Sequence, residues 1–378
     1  MRITAVEVFG VECDLPAPLR WGTMEVATKG GVLVRVRTDE GLEGLGEAGF
    51  SIAYLSRVAP VIRDLLAPLL IGEDPRLIGR LWHRMFDATH GWGRRGIETY
   101  AVSGVDIALW DLLGKACGRP VCELLGAAHR ELTAYAAPSL KPPAEAAADC
   151  ARAVERGFRA VKLRVGLDGE TDDRIVAAAR EAAGPDVDLI VDANMSRDYR
   201  GAVDIARRYR DAYGVSWLEE PIRGRSLHEY VREHARLRAA TSMPISGGES
   251  LFTRYEFVPA FEQRAFDIVQ PDAAGVGGIT EAAAIAAMAE AHGLRCTPHV
   301  ACSSGTGVGL AANMHVLATV ADPPYAEYDL YDDSPLQREL LKDPVRAVDG
   351  VIRLRDSPGL GVELDPAAVE RYRVELPA

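Results

Sequence analysis

No apolar run in the 378 residues approaches the roughly 18 that a membrane-spanning helix needs, so a bilayer-embedded protein is not expected. A secretory leader, with its basic head and apolar stretch, is missing too: MRITAVEVFG alternates apolar and polar residues, and the expected compartment is the cytoplasm. Positive charge is in deficit. With 43 Lys and Arg against 55 Asp and Glu, a net charge of −12 leaves no basic footprint for tracking phosphates, which argues against nucleic acid as a partner. The six cysteines (Cys13, Cys117, Cys122, Cys150, Cys296 and Cys302) form no CxxC pair, so neither a disulfide scaffold nor a zinc site is indicated, and buried thiols are expected. GVGG at 275–278 lacks the spacing of a dinucleotide fingerprint and reads as a tight loop between a strand and a helix. Low-complexity segments and long flexible linkers are absent as well.

What remains is the composition of a protein with a large core, 48% hydrophobic and 26% charged. The length suits a barrel of about 200 to 250 residues plus a smaller domain. MRITAVEVFGVEC and GVLVRVRTDEGLEGLGEAG alternate as half-buried strands do, with Asp39, Glu40 and Gly41 between them as a turn. Helical spacing follows, clearest in TYAVSGVDIALWDLLGKACG, where Val102, Ile107, Leu109, Leu112 and Leu113 share a face before Gly118 and Pro120 end it. Residues 1–128 are therefore expected to form an α+β capping domain. From about residue 131, short apolar strands recur at roughly the length of one βα unit: LTAYAAP, AVKLRVG, DLIVDAN, SWLEEP, PISGGES, FDIVQPD, LRCTPHV and PYAEYDL. Ala-rich stretches such as RIVAAAREAAG and ITEAAAIAAMAEAHG read as the helices between them, each ended by Gly. The fold class is α/β, a (β/α)7β TIM-like barrel over 129–351, with about 352–378 returning to complete the capping domain.

In a parallel barrel the functional groups project from the C-terminal ends of strands. Here the third strand ends with Asp192 and Asn194, the fourth with Glu219 and Glu220, and the fifth with Glu249. Three acids from adjacent strand ends repel one another unless a cation joins them, and all-oxygen ligation selects Mg2+ over Zn2+. On the second strand Lys162 and Arg164 lie two apart and so point the same way, into the barrel mouth, with Val161, Leu163 and Val165 turned outward. The sixth strand ends with Asp272 and the seventh with His299, which lets a carboxylate orient an imidazole as a base. The eighth supplies Glu327, a candidate acid or hydrogen-bond donor if it stays protonated. The other seven histidines, His83, His90, His129, His228, His234, His292 and His315, read as structural. HGWGRRG at 90–96 either lines the site or packs.

With these strand ends in order, the chain resembles the enolase superfamily, in the subgroup typified by mandelate racemase and the acid-sugar dehydratases, over essentially its whole length. The resemblance implies that Asp192, Glu219 and Glu249 bind Mg2+, that Lys162 neutralises the substrate carboxylate, and that Asp272 and His299 form the base. It further implies that Glu327 binds the carboxylate oxygen opposite the metal, that Asn194 contacts a substrate hydroxyl, and that the chain assembles as a homo-oligomer, from dimer to octamer. No lysine ends the sixth strand, which separates the chain from the muconate-cycloisomerase-like (muconate lactonizing enzyme-like) subgroup. A departure lies on the second strand, where the family usually carries KxK and this chain has Arg164. Guanidinium keeps its proton at physiological pH, so racemisation, which needs a base on each face, is disfavoured.

Chemistry on one face, through His299, points to dehydration of a sugar acid, an aldonate or aldarate, to a 2-keto-3-deoxy acid through an enediolate. The enzyme would then be a hydro-lyase acting on a small-molecule carboxylate. Opening of a sugar-acid lactone by a cycloisomerase uses the same proton abstraction and stays open as an alternative, as does a racemase or epimerase of a small 2-hydroxy acid. A non-catalytic sugar-acid-binding barrel is the reading from another class. Residues near 14–30 and 46–55 are expected to close over the substrate as loops, with Trp21, Met24, Phe50 and Tyr54 making an apolar cover. Trp21, Asn194, Lys162 and Glu220 are the expected substrate contacts.

Overall fold

Period-two alternation in the first fifty residues builds an antiparallel sheet in the computed structural model of the chain, whose described residues are 1–21, 24–49, 55–91, 93–300, 306–330 and 334–376. Strands β1 (Ile3–Trp21), β2 (Met24–Thr38) and β3 (Glu43–Ala48) run side by side. Val32, Val34 and Val36 are buried while Arg37 is exposed. The segment 14–30 differs from the loop expected of it. Its described residues continue the β1–β2 hairpin, pairing Leu19 with Val26 and Arg20 with Glu25 beyond a register shift between Asp14 and Leu19. The shift spans Pro16 and Pro18, which have no N–H to give the ladder.

The expected long helix runs Ile97–Cys117 and stops at Gly118, in the left-handed conformation with φ 64°. Gly44 and Gly46 bring β3 so close to it that a side chain at either would run into the carbonyls of Ala108 and Gly104.

Eight parallel strands follow: β4 (Glu131–Ala137), β5 (Ala160–Arg164), β6 (Asp188–Asp192), β7 (Val215–Glu219), β8 (Ile245–Gly247), β9 (Ile268–Val269), β10 (Arg295–Cys296) and β11 (Ala326–Asp329). Each of β4 to β9 pairs with the next, and β11 pairs back with β4, so the sheet curls round on itself. Across the seam between β10 and β11, the Thr297 hydroxyl donates to the carbonyl of Tyr325. Helices such as Gly169–Ala183 and Ile279–Ala291 fill the connections and form the outer layer of the (β/α)7β barrel. Outward residues Val161, Leu163, Leu189 and Val191 pack in the large core beneath the helices, whereas Ala160, Ile190 and Trp217 pack in a separate cluster inside the barrel. Lys162, Arg164, Asp192 and Glu219 share strand faces with that inner cluster.

The chain's end touches both units. β12 (Ala347–Val348) and β13 (Val351–Arg353) form a hairpin, and β13 pairs with β4, so residues 351–353 extend the barrel sheet. The return to the N-terminal unit comes later: the Leu360 amide donates to Asp111 (2.8 Å), and β14 (Arg373–Val374) pairs with β1. GVGG acts as the docking loop between the units. Trp82 donates to the Gly277 carbonyl (2.7 Å), the Gly277 amide donates to Ser103 (2.9 Å), and Asp106 accepts from the Thr280 amide (3.0 Å).

His315 ties three segments together. Its Nδ1 accepts from the Cys122 amide and its Nε2 donates to the Leu360 carbonyl, each at 3.1 Å, so the ring is neutral. Replacing it with Leu strands both groups and is expected to cost about 2–4 kcal/mol of stability. Burial holds the ring's pKa down at about 4, against about 6.5 in an unfolded chain. The imidazole's contribution is therefore whole above pH 6.5 and is lost as the pH falls toward 4. In calorimetric melts, the stability gap between wild type and His315→Leu should narrow by about 2 kcal/mol from pH 7 to pH 5; a gap that widens would contradict the neutral-ring assignment.

Candidate active site

Parallel register delivers the acids to one end of the barrel. Arg164 on β5 is level with Asp192 on β6, Asp192 with Glu219 on β7, and Glu219 with Ser246 on β8, three residues before Glu249. Lys162 is wholly buried among them, its ammonium 2.7 Å from Glu219 Oε1, 2.5 Å from Glu327 Oε1 and 3.9 Å from Asp192 Oδ2. The same nitrogen lies 5.4 Å from the centre of the Tyr135 ring. Arg164 Nε is 3.6 Å from Asp192 Oδ2.

Asp192 also accepts from the Asn194 backbone amide (2.8 Å) and side-chain Nδ2 (3.0 Å). Asn194 adopts φ 42°, a conformation asparagine tolerates better than most side chains. Its Oδ1 is shielded from solvent and has no hydrogen-bond partner among the described residues. Glu219 Oε2 accepts from Gln270 Nε2 at 2.8 Å.

His299 lies between two carboxylates, with Nδ1 3.1 Å from Asp272 Oδ2 and Nε2 3.2 Å from Glu249 Oε2. Burial pushes the imidazole's pKa down, but Glu249, Asp272 and Glu327 together raise it to about 10. Glu249 is the strongest of those charges, so the ring's readiness to accept a proton depends on how that carboxylate's charge is shared. Burial and the neighbouring charge of Glu219 lift Asp192 to about 7. Burial likewise raises Glu249.

Two expectations are corrected here. Glu327 is not held protonated: burial pushes its pKa up, but Lys162 and His299 outweigh that and keep the carboxylate below its ordinary range. It acts as an acceptor, taking the Val300 amide on Oε2 at 2.9 Å. Glu220, expected to touch substrate, is wholly buried behind the strand ends, where Oε1 accepts from the Tyr230 hydroxyl and from the Gly248 amide (2.9 Å). Glu220 lies one residue past the end of β7 in a left-handed turn, φ 42°, and its side chain is held by Tyr230 and Gly248, away from the Lys162 ammonium that Glu219 meets.

The three expected metal ligands are brought to one barrel end but do not close on a point. Among the described residues no three Asp, Glu, His or Cys side chains stand in metal-binding geometry, since Lys162 takes Glu219 and His299 takes Glu249. Even so, the donors fit Mg2+. They are all carboxylate oxygens from successive strand ends, and Asp192 is raised first by burial and then by the charges of Glu219 and Glu249, a repulsion that a divalent cation would offset.

Trp21 and Met24 carry side chains outside the described residues, and Phe50, Tyr54, Trp92 and Cys302 lie outside them altogether. In the 90–96 cluster, Arg95 donates to the carbonyl of Ser250 (3.3 Å) and stands 3.5 Å from Glu256, bracing the loop after Glu249. Sequence reasoning missed Gln270 and Tyr135. The first could have been found from its place two residues before Asp272 on an inward strand face, the second as a tyrosine inside an apolar barrel strand.

Comparison with known proteins adds a second line. Residues 3–126 match the family model described as mandelate racemase/muconate lactonizing enzyme, N-terminal domain, and residues 145–368 match that described as enolase C-terminal domain-like. The chain is 36% identical to D-galactarolactone cycloisomerase of Agrobacterium fabrum over the whole of both chains. It is also 36% identical to arabinonate dehydratase of Saccharolobus solfataricus over 90% of each. Among solved structures, L-talarate/galactarate dehydratase from Salmonella typhimurium, liganded with Mg and L-lyxarohydroxamate, superposes with a TM-score of 0.88 at 28% identity, covering 99% of this chain and 93% of that one.

Proposed function

Because the chain belongs to the mandelate racemase/muconate lactonizing enzyme family of the enolase superfamily, we propose that it is a Mg2+-dependent lyase that dehydrates a sugar acid, an aldonate or aldarate, to a 2-keto-3-deoxy acid. The observation that carries this reading is the Asp272–His299 pair, 3.1 Å apart at the acidic end of the barrel, with an arginine where a second base would stand.

Asp192, Glu219 and Glu249 would hold the ion, whose charge offsets the negative charge that builds on the substrate carboxylate as the α-proton leaves. Lys162 adds a second positive charge at that carboxylate, from a position buried between Glu219 and Glu327. Asp272 holds Nδ1 of His299, and with the charge of Glu249 shared with the ion rather than with the ring, Nε2 would be left to take the α-proton. The imidazolium so formed then gives that proton to the β-hydroxyl, the carbon–oxygen bond breaks, and water leaves. An enol remains and tautomerises to the 2-keto acid. Arg164, which keeps its proton, stays a charge on the opposite side rather than a base.

A second reading has a specific observation in its favour: the full-length relative at 36% identity is a lactone cycloisomerase. In that chemistry the same abstraction expels a ring carboxylate instead of a hydroxyl. Incubating the enzyme and Mg2+ in D2O with a panel of aldonates, aldarates and their lactones separates the possibilities. Dehydration predicts 2-keto acid, at kcat values of about 1–10³ s⁻¹ for the true substrate. Lactone opening without any 2-keto acid supports the cycloisomerase, and no deuterium at any α-carbon would overturn both in favour of a non-catalytic binding barrel.

A further inference from the structure

Seven of the ten residues of helix Val308–Leu317, which follows β10 in the barrel, are Val, Leu, Ala or Met, one is Gly309, and only Asn313 and His315 are polar. His315 faces the chain's C-terminal segment. Asn313, only 1% exposed, faces the ends of β9 and β10. Its Oδ1 accepts from the Ala273 amide at 2.8 Å, and its Nδ2 donates to Asp272 Oδ1 at 2.9 Å and to the His299 carbonyl at 3.1 Å. The partners fix which way the amide points, because a backbone N–H can only donate and a carbonyl can only accept. Asp272 Oδ1 takes a second donor from the Ala274 amide at 2.9 Å.

We propose that Asn313 is a positioning residue for the proton-transfer pair: it joins the end of the strand bearing Asp272 to the segment bearing His299 and sets the carboxylate so that Oδ2 faces Nδ1. This rests on the reading of His299 as the base. With two N–H donors on Oδ1, the carboxylate cannot swing about its terminal bond without breaking both. Oδ2 is then the acceptor that Nδ1 meets, and a neutral ring must carry its proton on Nδ1, with its lone pair on Nε2 toward Glu249 and the acidic end of the barrel. The other tautomer would set its Nδ1 lone pair against Asp272 Oδ2 and leave Nε2 already protonated, with no lone pair to take a proton from substrate. A helix anchor alone would need no contact with Asp272 or with the His299 carbonyl, and Asn313 makes both.

Asn313→Asp keeps the acceptor for Ala273 but sets an oxygen against Asp272 Oδ1, whereas Asn313→Ser withdraws the group from reach. Both are expected to lower kcat and α-proton exchange by about 10- to 100-fold with KM and Mg2+ affinity within about two-fold of wild type. Introduced beside Asp272→Asn, either should add no further loss, since the residue it acts through is already disabled. Wild-type rates in the single variants, or losses that multiply with that of Asp272→Asn, would overturn the proposal. A crystal structure of Asn313→Ser decides the point without activity. The inference requires Asp272 Oδ2 to move out of hydrogen-bond reach of Nδ1, and an unchanged 3.1 Å contact contradicts it. A wild-type enzyme that exchanges no α-proton would instead overturn the functional reading, with that distance still deciding on Asn313.

Discussion

Replacing His299 with Asn is expected to reduce α-proton exchange and turnover by about 10²- to 10⁴-fold, the range set by losing a general base, with Mg2+ affinity near that of wild type. Asparagine can still offer an N–H toward Asp272, so local hydrogen bonding is largely preserved while the only titratable nitrogen at this position is removed. The effect should be large because the opposite face offers no substitute: Arg164 holds its proton, and Lys162 is paired with Glu219 and Glu327. Relief of a buried imidazole held between Glu249 and Asp272 has an energetic cost too, since both carboxylates lose a cationic partner. Melting temperature and Mg2+ titration must therefore accompany the kinetics. A variant that folds, binds Mg2+ and still exchanges the α-proton at the wild-type rate would place the base elsewhere.

Removing divalent cations is expected to abolish turnover altogether, with Mg2+ restoring it. Asp192 is raised to about 7 by burial and by the charge of Glu219, so the folded barrel carries repulsion that an ion bound only to the native state would relieve. Mass action then predicts a melting temperature that climbs with Mg2+ concentration, equivalent to about 2.7 kcal/mol at one hundred times Kd. Glu219→Gln keeps the shape and the contact with Gln270 but removes one ligand charge. It should weaken Mg2+ binding by calorimetry and flatten the dependence of melting on Mg2+. Full activity in EDTA, or unaltered Mg2+ binding by Glu219→Gln, would contradict the assignment of these three acids.

Much of this architecture can be read in the residues because the signals are local. AVKLRVG alternates with period two, and a strand buried on both faces can accept Lys162 and Arg164 only if its inward face carries charge to meet them. The succession of Asp192, Glu219 and Glu249 at the ends of apolar runs is equally direct, since parallel strands expose those ends together. The 14–30 segment was harder to read. Its prolines and polar residues suggest a loop, yet cross-strand pairing with β2 carries the hairpin past the bulge.

The sequence by itself determined which residues within the strands face into the barrel and at which end, because backbone pleat and strand order are set by residues near one another in the chain. Only the tertiary structure decided who pairs with whom: Lys162 with Glu327, Glu249 with His299, Glu220 behind the strands with Tyr230, and Asn313 across to Asp272. Those choices join positions 10 to 165 residues apart in the chain. They are settled by the cost of burying each charge without a counterpart, a cost that depends on distances no local pattern encodes.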